Sequence, residues 1–80
     1  MRELRVYIRQ AGKGALCGQA VFYSRRADGP FYRWRYEETL GRWRFARVRP
    51  SKLTLRVLAI ASWDVVPPAL QDRLGEHYLE

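Results

Sequence analysis

Few residues of this 80-residue chain have the types and spacing needed for covalent chemistry. His77 is the only histidine and Cys17 the only cysteine. No second thiol or imidazole is present to complete a zinc set or a hydrolytic triad with them. Glu37 and Glu38 are adjacent, so on a strand they point to opposite faces and cannot act as an acid–base pair. Glu37 is better suited to neutralising a neighbouring arginine. Ala11-Gly12-Lys13-Gly14 resembles a phosphate-cradling loop only in part. The upstream glycine is missing and Gly14 stands where a Ser or Thr would hold a metal. The residues argue against an enzyme, a metal site and a cofactor.

Binding chemistry is far richer. Lys and Arg total 15 against eight Asp and Glu, for a net charge of +7. The excess is uneven: residues 1–49 hold 12 of the cations and four of the acids, whereas residues 50–80 carry a net −1. Such an asymmetry implies an anionic partner on the N-terminal part. Only Lys13 and Lys52 are lysines, and arginine is the better residue for bidentate phosphate or carboxylate contacts and for stacking.

The elements that must position these arginines centre on Phe31 to Val48. Tyr32, Trp34 and Tyr36 share one parity, with Phe31, Arg33, Arg35 and Glu37 on the other. After Glu38-Thr39-Leu40-Gly41 the alternation resumes, with Trp43 and Phe45 against Arg42 and Arg44. Two alternating runs around a short Gly-containing loop predict a hairpin. A four-residue loop with Gly41 at positive φ places all five of these rings on one side. Arg33, Arg35, Arg42 and Arg44 then crowd the other, at up to about 1 kcal/mol per opposed pair, a cost that an anionic partner would offset.

Upstream, Glu3–Arg9 alternates Leu4, Val6 and Ile8 against Arg5, Tyr7 and Arg9, predicting a first strand with the apolar triplet inward. Residues 10–18 read as a glycine-rich hairpin loop. Residues 19–25 form a second strand with apolar residues on both parities, so its facing stays open. The turn at 26–30 assigns its positive φ to Asp28-Gly29. Residues 51–62 fit either a strand from near Leu53 or a helix capped by Ser51, and the β-branched Thr54, Val57 and Ile60 favour the strand. Pro67-Pro68 opens a final helix with Leu70, Leu74 and Tyr78 on one stripe, expected over the aromatic side of the sheet. His77 reads as a surface residue at its C-terminal end.

The expected architecture is therefore one small basic α+β domain over residues 1–80: an N-terminal antiparallel meander of four or five strands, with a C-terminal helix packed on one face. This element order resembles that of small SH3-like barrels. The apolar run at 57–63 is too short to span a bilayer, and the N-terminal residues lack a signal peptide's apolar core. The chain is expected to be cytoplasmic.

The candidate binding residues are Arg5, Tyr7, Arg9, Arg33, Arg35, Arg42 and Arg44. They suit nucleic acid, RNA ahead of DNA, with guanidinium groups on phosphates and a ring under a base. The alternative is an accessory or adaptor subunit docking through arginines and rings on a larger, acidic protein surface. Trp63 is the candidate anchor for that role, although the usual place for such a ring is the core under the last helix.

Overall fold

A computed structural model of the chain describes residues 3–9 and 20–79. The glycine-rich segment at 10–18, with Lys13 and Cys17, lies outside the described residues. Five strands form one antiparallel sheet: β1 (Leu4–Arg9), β2 (Val21–Arg26), β3 (Phe31–Glu37), β4 (Arg42–Val48) and β5 (Leu58–Ile60). Their spatial order is β4-β3-β2-β1-β5. The likeness to SH3-like barrels stops at element order: no ladder joins β4 to β5 among the described residues, and both remain edges.

Register explains how alternation becomes two different faces. Val6 lies opposite Ser24, Ile8 opposite Phe22, Phe22 opposite Trp34, and Trp34 opposite Phe45. These residues therefore share one side of the pleat. Helix α2 (Pro68–His77) lies on this side, with Leu70 and Leu74, one turn apart, wholly buried against the rings. Val6, Phe22, Trp34, Trp43, Val66, Leu70 and Leu74 make up the core. The facing of β2 is thus resolved: Phe22 and Ser24 point inward, while Tyr23 is buried from the opposite side.

A buried polar thread runs through this core. Trp34 Nε1 donates to Ser24 Oγ at 2.8 Å, and Ser24 Oγ is 2.8 Å from the Tyr78 hydroxyl. Tyr78 caps the C-terminal end of α2, so the thread fixes where the helix ends on the sheet. Arg73 Nε donates to the Trp43 carbonyl oxygen at 3.2 Å and ties the middle of α2 to β4.

The expected hairpin is present, with Glu38–Gly41 as its loop and Gly41 at φ 63°. The turn between β2 and β3 differs from expectation. Its left-handed residue is Ala27, at φ 33°, and not Gly29. Gly29 serves close approach instead: its N–H donates to the Arg26 carbonyl oxygen, and a Cβ there would lie 2.9 Å from that oxygen.

The segment at 51–62 is also corrected. Residues Lys52–Val57 form a short helix, α1, and only Leu58–Ile60 are extended. Ser51 does cap α1, accepting from the Thr54 N–H at 3.1 Å. The helix contributes nothing to the core, however, since Leu53 is 73% exposed and no α1 residue is buried. The reason is topological. β4 and β5 lie at opposite edges, so this stretch must cross the sheet before pairing, and three residues suffice for its ladder with β1.

Candidate functional site

The side of the sheet opposite α2 is built from the other parity of the same strands. Arg5 pairs in register with Arg25, Tyr7 with Tyr23, and Tyr23 with Arg33. Arg35 lies opposite Arg44, and Glu37 opposite Arg42. Arg9 extends the row on β1. All seven residues expected to bind, Arg5, Tyr7, Arg9, Arg33, Arg35, Arg42 and Arg44, therefore belong to one face. Arg25 joins them. Its place was implied by its shared parity with Tyr23 but was hidden by the ambiguous facing of β2.

The charge of this face is predominantly positive, with Glu37 the one carboxylate in its register beside Arg33, Arg35, Arg42 and Arg44. Among the described residues, none of Arg9, Arg33, Arg35, Arg42 and Arg44 has a carboxylate within 4.0 Å. Among the described residues Arg5 alone on the face makes an ion pair, with Glu3 at 3.5 Å, and both are exposed enough for water to screen it. The Tyr7 hydroxyl, and then Glu3, hold the Arg5 guanidinium further in its charged form. Glu37 does not neutralise an arginine as expected. Its carboxylate accepts from Thr39 Oγ1 at 2.7 Å, and it borders a polar hollow of about 250 Å³ with Arg33, Arg35 and Arg44. Guanidinium groups lining a hollow with one pre-bonded carboxylate can grip an anion without first breaking ion pairs.

Rings are sparse here but placed. Tyr7 and Phe31 lie with centroids 6.0 Å apart, and the Arg25 guanidinium carbon sits 4.6 Å from the centre of the Phe31 ring. Both rings are half-buried, which leaves part of each at the surface. Arg25 Nε is buried with no hydrogen-bond partner among the described residues.

Two further expectations change. Trp63 is not a core ring: it begins a 3-10 turn, Trp63–Val65, and is 49% exposed, with Ile60 and Val65 also exposed. His77 is less exposed than expected. Its ring is half-buried among Tyr32, Phe45, Tyr78 and Trp34, at centroid distances of 4.4, 4.5, 4.7 and 5.4 Å. Burial, and secondarily the Arg73 charge, lower its pKa from the usual value.

No group of three or more His, Cys, Asp or Glu is placed to hold a metal ion among the described residues. No helix among them is long and apolar enough to cross a membrane. Comparison with protein-family models, curated proteins and solved structures found no match to this chain.

Proposed function

We propose that the protein is a non-enzymatic binding module that holds single-stranded nucleic acid, RNA ahead of DNA, on the arginine face of its sheet. The observation that carries this reading is the run of guanidinium groups across β1, β3 and β4, with Arg9, Arg33, Arg35, Arg42 and Arg44 in no ion pair among the described residues and Arg35 directly opposite Arg44. Opposed like charges destabilise a free sheet, and phosphates neutralise them. Arginines two apart on a strand project from the same face roughly 6.6 Å apart, a spacing that suits successive phosphates of an extended strand. Tyr7 and Phe31 offer π-surface to a base, as sheet-based RNA binders do. A single-stranded ligand is favoured because its bases are free to reach these rings.

The test is fluorescence polarisation with a labelled RNA oligomer at increasing salt. Affinity should fall log-linearly, with a slope of about −0.7 for each phosphate engaged. A salt-insensitive affinity, or no binding at low salt, defeats the proposal.

The exposure of Trp63 supports a second reading, an adaptor that docks on a larger assembly through this ring and arginine residues. Binding of that kind should survive nuclease treatment, resist salt and vanish in Trp63→Ala.

A further inference from the structure

A second concavity lies on the other side of the β2–β3 turn, away from the arginine face. It is a cleft of about 530 Å³ between that turn and the C-terminal end of α2, within the range typical of small-molecule sites. Arg26, Asp28, Pro30, Tyr32, His77 and Tyr78 line it.

Its chemistry is unusual for a surface dimple. Three of the lining residues carry rings that pack on one another, with Tyr32 and His77 at 4.4 Å and His77 and Tyr78 at 4.7 Å between centroids. The Tyr78 hydroxyl is already engaged by Ser24. By contrast, the Tyr32 hydroxyl, the His77 imidazole nitrogens and the Asp28 carboxylate make no hydrogen bond among the described residues. The cleft lining thus combines free hydrogen-bonding groups with packed rings. The Arg26 guanidinium packs 5.1 Å from the centre of the Tyr78 ring and donates to the Tyr78 carbonyl oxygen, which holds the end of α2 against the turn.

We infer that this cleft takes a nucleobase, with Asp28 accepting from a ring or exocyclic N–H and Tyr32 and His77 meeting the remaining polar edge. Other ligand classes fit less well. A bare anion has no use for three rings and is repelled by Asp28, while an acyl chain leaves the carboxylate and the imidazole without partners. A heterocycle carrying both donors and acceptors uses every group present. His77 is biased towards its neutral form, which can donate at one nitrogen and accept at the other.

Position links the cleft to the proposed function, on which this extension partly rests. Gly29 and Pro30 border it and also border a groove of about 320 Å³ on the other side of the turn, lined by Arg25, Phe31 and Arg49. A strand leaving the arginine face at this end of the sheet reaches the cleft by passing over two residues.

The test titrates the four nucleoside 5′-monophosphates, with ribose 5-phosphate as the base-free control, and follows the His77, Tyr32 and Tyr78 ring signals by NMR. At least one nucleotide should shift them at millimolar concentration, and ribose 5-phosphate should not. Asp28→Asn and Tyr32→Phe, which keep the turn and the ring packing, should each weaken that response about 2- to 10-fold. Equal shifts with ribose 5-phosphate, or none with any nucleotide, overturn the inference. An RNA octamer separates it from the broader reading. Shifts of Arg33, Arg35 and Arg44 with a silent cleft reject the nucleobase pocket and keep the arginine face. Nucleotide shifts in the cleft without octamer binding do the reverse.

Discussion

The two sides of one hairpin make opposite use of the same alternation. On the helix side, Trp34, Trp43 and Phe22 are buried, and the one polar group among them, Ser24, is hydrogen-bonded on two sides. On the other side, Arg35 and Arg44 oppose each other in the open, with no ion pair to either among the described residues. The core of the first face is packed internally, whereas the second face holds its arginines at the surface. Stability and binding should therefore be separable by side, although one set of strands carries both.

The largest break in that comparison comes from the buried side. Trp34→Ala removes a fully buried ring from the centre of the sheet and should cost about 3–5 kcal/mol. Urea unfolding would show it, and a domain of this size would then be largely unfolded, with RNA affinity lost as a consequence. A loss under 1 kcal/mol would mean that the core is not organised around this ring.

Ser24→Ala should cost about 1–3 kcal/mol, since it leaves the Trp34 N–H buried without an acceptor and frees the Tyr78 hydroxyl. At temperatures where the variant stays folded, the salt dependence of RNA binding should be unchanged. A changed salt slope would show that the two sides are coupled through β2.

A smaller effect is expected at His77. Because its pKa is lowered in the fold, the folded state binds this proton less readily than the unfolded chain does. Its contribution to stability is complete above the unfolded value of about 6.5 and is lost as pH falls through the lower folded value. Midpoints of thermal unfolding should thus drop between neutral pH and pH 5, and His77→Phe, which keeps an aromatic ring in the cluster, should flatten that drop. An unaltered profile in the variant would assign the acid sensitivity to other groups.

Much of this arrangement was legible in the chain. Parity alone separates Trp34, Trp43 and Phe45 from Arg33, Arg35, Arg42 and Arg44, because a pleat sends alternate residues to opposite faces whatever the rest of the fold does. The even loop with Gly41 carries the register across the turn. The features that were missed depend on contacts distant in sequence. Whether residues 53–60 coil or extend is decided by the distance from the β4 edge to the β1 edge, which no local propensity encodes. Trp63 has the composition of a core residue, yet Val66, Leu70 and Leu74 already fill the space beneath α2. His77 lies 45 residues from Tyr32, and the two meet only because the end of α2 returns over β3. Arg25 needed only the facing of β2, which the partnership of Phe22 with Trp34 decides.

The most direct measurement is the salt dependence of RNA affinity for the wild type beside Arg35→Ala/Arg44→Ala, with unfolding free energy recorded for both. Removing one opposed pair should leave stability unchanged or raise it by up to about 1 kcal/mol, while making the log–log salt slope shallower by about 1.4 for two lost phosphate contacts. Equal slopes for the two proteins, or a double variant that is destabilised and binds as before, would contradict an arginine face held open for phosphates.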